Sequence, residues 1–234
     1  NIALVGGGAS PQPGEISLAH HGVLFLDELP EFKRHVLEVM RQPLESRSIT
    51  VSRARSTVEY PASFMLIASM NPCPCGYFNH PDKECVCTPQ VVQRYLSKVS
   101  GPLMDRIDLH VEVTPVAFDD LIKHKSSTES RSIIRKRVAI TRAIQKERFA
   151  KHADVHSNAQ MLPAMVRDIC VLDSNSVQLL KTAMDRLGLS ARAYDRILKV
   201  ARTLADMEQS EAILASHIAE AIQYRSLDRS SWSF

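Results

Sequence analysis

Apolar positions change their spacing once along the chain, near Thr114-Pro115. Before that point they fall in short runs between Gly- and Pro-rich loops: Ile2 to Val5, Val23 to Leu26, Ile49 to Val51, Phe64 to Ala68 and Leu109 to Val113. Such runs predict strands. Val23-Leu24-Phe25-Leu26, with no polar residue in it, predicts a strand buried on both faces, the kind found in a parallel sheet covered by helices. Glu31 to Leu37 predicts a helix directly after it. The first part of the chain is therefore expected to be α/β. Beyond the change the spacing is helical. Glu129 to Phe149 carries Ile133, Ile134, Val138, Ile140 and Ile144 as a rough stripe among Arg131, Arg135, Lys136, Arg137, Arg142, Lys146 and Arg148, and predicts one long basic helix. Val177, Leu180, Met184 and Leu187 mark a second helix stopped by Gly188. Ser190 is placed to cap a third over Ala191 to Met207, and Ile213 to Tyr224 predicts a fourth. The expected organisation is an α/β part over 1–116, a basic helical linker over 117–155 and an all-α helical domain over 156–234.

Composition narrows this picture in three places. No apolar run approaches the roughly 20 residues that a bilayer requires, so no membrane span is expected. The net charge of +3, from 29 basic and 26 acidic residues, does not by itself argue for nucleic acid. Four of the five cysteines fall in one short segment, which reads as a metal or redox device in a reducing cytoplasm rather than a disulfide framework. The first residue is Asn1, and the chain is expected to begin inside a longer protein.

The chemistry centres on Asp27 and Glu28, which follow the apolar run directly. Ligands of open α/β sheets sit at the carboxyl ends of strands. A strand ending Asp-Glu is the form used by nucleotide-hydrolysing ATPases: the first acid holds the Mg²⁺ shell through water, and the second orients and deprotonates the attacking water. Alternation along a strand would give the two acids opposite directions and separate tasks. An acidic turn ahead of a helix has the same local sequence. Asn71, after the run Phe64 to Ser69, brings an amide beside the acids where the two strands are neighbours; Asn-Pro also simply starts turns. Arg106 stands just before the run at Leu109, where it serves equally as an ion-pair partner of Asp105 or Asp108. A phosphate-cradling loop needs Gly-x-x-x-x-Gly-Lys-Ser/Thr, and no Gly-Lys pair occurs in the chain. Cys73-Pro74-Cys75 and Cys85-Val86-Cys87 offer four thiolates suited to tetrahedral Zn²⁺, with His80 as a substitute ligand, although structural sites more often space cysteines two residues apart. Free thiols, or a disulfide formed on oxidation, are the competing readings.

LFLDE, SMNPCPCG, SGPLMDRIDLHVEV and LSARAYDRILKVARTLAD together resemble the competence-type, magnesium-chelatase-like AAA+ ATPases, the ComM/YifB group, over essentially the whole chain. The resemblance implies a partial AAA+ α/β core followed by an all-α helical lid. It makes Asp27 and Glu28 the Walker B acids and Asn71 the sensor that places the water. Arg106 becomes an arginine finger reaching ATP on a neighbouring subunit, and Arg192 the lid arginine. It further implies ATP and Mg²⁺ as ligands, a hexameric ring, single-stranded or branched DNA as partner, and ATP-driven branch migration of DNA during recombination and natural transformation. The phosphate cradle of this family lies upstream of a segment like Asn1 to Val5, so these 234 residues alone are expected to be inactive. Related rings carry a hairpin into the central pore, and Ser48 to Tyr60, with Arg53 and Arg55 at its middle, has that form; an ordinary edge hairpin has it too. Two other functions stay open: a chelatase-type motor acting on a protein partner, and a zinc-dependent nucleic-acid-binding module without catalysis.

Overall fold

The computed structural model describes residues 2–8, 11–53, 56–113 and 129–225. The chain divides into two compact units, Asn1–Ile107 and Asp108–Ser233. In the first, mixed α/β unit the order is α1 (Ile2–Val5), β1 (Gly6–Gly7), β2 (Gln12–Pro13), α2 (Glu15–Leu18), β3 (Val23–Leu26), α3 (Arg34–Val39), α4 (Arg41–Ser46), β4 (Ser48–Arg53), β5 (Ser56–Pro61), β6 (Met65–Ala68), α5 (Pro89–Leu96) and α6 (Gly101–Met104). β3 and β6 pair in parallel, Val23 level with Met65 and Leu26 with Ala68. Their pairing is closed at both ends by backbone bonds, Met65 N to Gly22 O at 3.0 Å and Ser69 N to Leu26 O at 3.0 Å. β4 and β5 form the antiparallel hairpin expected from the sequence. Leu24, Leu26, Leu37, Met40, Ile49, Val92 and Leu103 are among the buried apolar side chains of this unit.

Several expectations are corrected. Ile2 to Val5 is a helical turn, not a strand. An extended run needs a neighbour for its amides and carbonyls, none pairs with it among the described residues, and the run instead lies as α1 beside α2. Leu109 to Val113 is not a strand either; within it, the His110 amide donates to the Tyr224 carbonyl at 2.7 Å. β3 is not buried on both faces. Leu24 and Leu26 are covered, whereas Val23 and Phe25 are 55% and 59% exposed, as are their neighbours Met65 and Ile67 at 60% and 45%. The described residues cover one side of β3 and leave the other open. The helix expected from Glu31 begins at Arg34, because a 3₁₀ turn, Leu29–Glu31, comes first with Pro30 in it.

The second unit is helical: α7 (Arg131–Arg148), α8 (Pro163–Ile169), α9 (Ser174–Leu187), α10 (Ala191–Met207) and α11 (Ala215–Gln223). The starts of α7, α9 and α10 are set by side-chain caps: Ser130 accepts from Ile133 N at 3.4 Å, Asp173 from Ser176 N at 2.8 Å and Ser190 from Ala193 N at 3.2 Å. Gly188, at φ +59°, ends α9 in the left-handed conformation that suits glycine. The core lies where Ile197, Ala201 and Ala205 of α10 meet Leu180, Ile218 and Ala221. Ile133, Ile134, Val138 and Ile140 of α7 stay exposed, since only the C-terminal half of α7 contributes buried residues, Thr141 and Gln145. No described helix is long and apolar enough to cross a membrane.

One buried carboxylate ties this unit together. Asp206 accepts from Arg148 at 2.7 Å, from Asn158 at 2.7 Å and from Arg202 at 3.1 Å. Arg148 thus belongs to the interior, not to the basic face of α7. Burial pushes the Asp206 pKa up, but the hydrogen bonds of Arg148 and Asn158 and the charges of Arg148 and Arg202 outweigh it and hold the pKa below the ordinary carboxylate value. Asp206→Ala strands two guanidinium groups and is expected to cost about 3–5 kcal/mol. Because the folded-state value is depressed, this contribution is complete above about pH 5 and is lost as pH falls below about 4. Urea midpoints across this pH range check it: an unchanged midpoint for Asp206→Ala, or a stability difference that does not shrink in acid, would contradict the assignment.

Candidate active site

The carboxyl end of the β3–β6 pair gathers three of the residues singled out above. With Leu26 level with Ala68, the next residues outward, Asp27 and Ser69, meet across the pair. Ser69 Oγ donates to Asp27 Oδ1, and the same oxygen accepts the Glu28 backbone N–H at 3.1 Å. Asp27 is exposed, and its Oδ2 takes no hydrogen bond among the described residues. β3 ends at Leu26, so the acids do not alternate along a strand. Instead Glu28 adopts φ 52°, ψ 51°, a left-handed conformation that costs a non-glycine residue roughly 1 kcal/mol or more. It is held there by the Leu29 amide, which donates to the Ser69 carbonyl at 2.8 Å. Ser69 was not anticipated from the sequence. The only available signal was its position one residue past the run ending at Ala68, which becomes meaningful once the register is known.

Asn71 follows two residues after Ser69, exposed at the same end of the pair. Its backbone N–H is held by the hydroxyl of the buried Tyr95; burial and the charges of Glu31 and Glu28 raise the Tyr95 pKa, while this amide pulls it down. Arg106 does not pair with Asp105 or Asp108. Its guanidinium donates to the Pro102 carbonyl at 2.5 Å and pairs with Glu45 at 2.6 Å, with the arginine side chain 6% and the glutamate 44% exposed. The pair lines an open cavity of about 450 Å³ together with Glu38, Arg41 and Gln42. Hydrogen bonds from Ser100 and Arg41 hold the Glu38 carboxyl below its ordinary value, and Ser100 also caps α6, the helix preceding Arg106. In the second unit, Arg192 is exposed on the first turn of α10, and Arg196, one turn on, pairs with Asp108. Arg53 closes β4 opposite Ser56; Arg55 lies outside the described residues.

The four clustered cysteines converge. Their sulfurs all lie within 4.8 Å of one another, with Cys73 3.3 Å from Cys75 and 3.7 Å from Cys85, and Cys75 3.6 Å from Cys85. All are free thiols. The Tyr77 amide draws the Cys75 pKa down to about 6, with help from its thiol neighbours. At Cys85 the Cys87 amide acts in the same direction, but loss of solvation and the neighbouring Cys75 and Cys73 outweigh it and push the value up to about 12. His80 stands apart as a turn cap, its Nδ1 accepting the Asp82 and Lys83 amides at 3.0 and 3.1 Å.

Comparison with known proteins places this arrangement. Residues 1–121 match the family described as magnesium chelatase, subunit ChlI, and residues 128–225 match the C-terminal part of the same subunit. The chain is 45% identical to YifB of Salmonella typhimurium over 97% of its length and 44% of that protein's. It is 45% identical to the competence protein ComM of Haemophilus influenzae, over 97% of this chain and 43% of ComM. The magnesium-chelatase 38 kDa subunit of Chlorobaculum tepidum is 24% identical over 93% of this chain and 49% of its own. The chain thus spans less than half the length of these relatives. On these matches, and with YifB and ComM as relatives, the chain belongs to the magnesium-chelatase ChlI family.

Proposed function

We propose that the chain carries the hydrolysis residues of a ring-forming AAA+ ATPase that couples ATP turnover to DNA remodelling, with residues 1–116 as part of its core and 156–234 as its lid. The observation that carries this reading is the carboxylate of Asp27, fixed by Ser69 through one oxygen and open to solvent at the other, beside a Glu28 held in a left-handed turn. A carboxylate so held suits a hydrated Mg²⁺, which when bound neutralises charge on the ATP phosphates. Asp27 would hold that ion through its water shell. Glu28 accepts the proton of the attacking water, and Asn71 fixes that water's direction. The chain has no Gly-Lys pair to cradle phosphates, so its residues account for the water side of the reaction.

Arg106 is assigned to the ATP of a neighbouring subunit, where it must exchange Glu45 for phosphate oxygens. Arg192 is assigned to ATP as the arginine of the lid. The β4–β5 hairpin is assigned to DNA phosphates through Arg53 and Arg55, a contact that tracks the backbone without reading sequence. The ComM name supports DNA as the partner. The chelatase relative favours a second reading, a motor of the same chemistry that acts on a protein. Turnover of the full-length protein with and without single-stranded and branched DNA separates the two: stimulation by DNA supports the first and indifference to DNA the second.

In the full-length protein, Glu28→Gln is expected to keep ATP binding and lower turnover by about 10²–10⁴. Arg106→Ala is expected to lower it by about 10³ or more, and mixing the two variants should recover activity at interfaces where an intact finger meets an intact base. Normal turnover by Arg106→Ala removes the finger assignment.

Ser69→Ala tests the holding of Asp27. Losing one hydrogen bond to an exposed carboxylate is expected to raise the Mg²⁺ concentration for half-maximal turnover by about tenfold, with the ATP-bound fraction at saturating Mg²⁺ unchanged. A Mg²⁺ dependence identical to the parent would show that Ser69 does not position Asp27.

A further inference from the structure

We infer that Cys73, Cys75, Cys85 and Cys87 form a tetrahedral site for one Zn²⁺ that organises the long segment between β6 and α5. Four sulfurs each about 2.3 Å from one ion stand about 3.8 Å from one another, and the separations of 3.3, 3.7 and 3.6 Å are close to that edge. The shortest belongs to Cys73 and Cys75, where a single intervening residue draws the pair together. These distances far exceed the roughly 2.05 Å of a disulfide. An iron–sulfur cluster spreads its cysteines over separate irons, so sulfurs this close fit a single ion. Four thiolates and no oxygen ligand select a soft, tetrahedral metal.

Two further observations point to a ligand. Backbone amides are directed at the sulfurs, as thiolates bound to a metal require: Phe78 N lies 3.3 Å from Cys73, and the amides of Tyr77 and Val86 address Cys75. Gly76, at φ +82°, supplies the turn between Cys75 and the Tyr77 and Phe78 amides. The segment 69–88 also contains neither helix nor strand, longer than a loop usually runs without structure of its own. Cys73 is its one fully buried residue. With almost no apolar core, such a segment needs a cross-link to keep one shape.

The first cysteine pair follows Asn71 by two residues, and the second precedes α5, whose Tyr95 holds the Asn71 amide. The metal therefore fixes the segment on both sides of Asn71. This inference does not depend on the proposed ATPase reading.

The test uses full-length protein prepared without chelator or a histidine tag. Elemental analysis is expected to find zinc, with about one equivalent lost in Cys85→Ser/Cys87→Ser. Should that variant not fold, the parent protein decides. Cysteine alkylation followed by peptide mass spectrometry is expected to find these four residues protected together and labelled together once zinc is stripped. Exchange with Co²⁺ is expected to give the thiolate charge-transfer and tetrahedral d–d absorption of a four-sulfur site. Zinc near zero with four freely labelled thiols, a disulfide within either pair, or a Co²⁺ spectrum of octahedral type would each overturn the inference.

Discussion

The parallel pairing of β3 with β6 is the constraint on which the candidate site depends. Strand side chains have a period of two, so a slip of one residue reverses which face each presents. At the observed register the buried Leu24 and Leu26 lie level with Leu66 and Ala68, and the first polar residues beyond, Asp27 and Ser69, come together. A slip would set Asp27 against Ala68 or Met70, neither of which can donate a side-chain hydrogen bond. The burial of two leucines therefore selects the partner of a carboxylate that lies outside the strand. The same register brings the Leu29 amide to the Ser69 carbonyl, and that bond keeps Glu28 in a conformation which its own backbone disfavours.

The helical unit rests on a different kind of constraint. Its apolar core arises from ordinary helical stripes, but Asp206 chooses among the ways those stripes could meet. A buried anion requires its donors at fixed distances, and Arg148, Asn158 and Arg202 come from α7, the 3₁₀ turn Asn158–Gln160 and α10. Arg202 continues to the carbonyls of Ser210 at 2.5 Å and Glu211 at 2.7 Å, which sets the turn out of α10. Any sliding of α7 along α10 separates opposite charges in a dry interior, an error that apolar contacts alone would tolerate.

Legibility in the sequence followed how local each determinant was. The third helix was readable to its ends, because Ser190 and the apolar positions Ile197, Ala201 and Leu204 act within the helix itself. The hairpin and the two central strands were readable for the same reason. Ile2 to Val5 and Leu109 to Val113 were misread because an apolar run reports a tendency to be buried, while a strand also needs a neighbour to bond with. The stripe on α7 was readable as a helix, yet its exposure was not, since periodicity does not say what covers it. Ser69 was invisible without the register, and the partner of Arg106 could not be chosen by proximity, for Glu45 lies far away in the chain on α4. The cysteine cluster was anticipated as a group; only the fold shows that the sulfurs converge and that His80 is engaged elsewhere.

On the proposed reading, Arg106 has a structural role in the isolated subunit and a catalytic one in the ring. A guanidinium that is 6% exposed cannot stand without a counter-charge, so a finger awaiting a neighbouring subunit needs a temporary partner. Glu45 suits that task, because at 44% exposure it regains most of its hydration when the arginine leaves. The exchange is also favourable on the arginine side. Glu45 offers one carboxylate oxygen at 2.6 Å, whereas a guanidinium fork on phosphate oxygens gains two charge-assisted hydrogen bonds. The buried Nε of Arg106 has no partner among the described residues, so the resting state leaves one donor unused that a phosphate or a reordered neighbour can take. On the proposed reading, the pair with Glu45 keeps an isolated subunit electrically satisfied without holding Arg106 so tightly that it could not serve the next one.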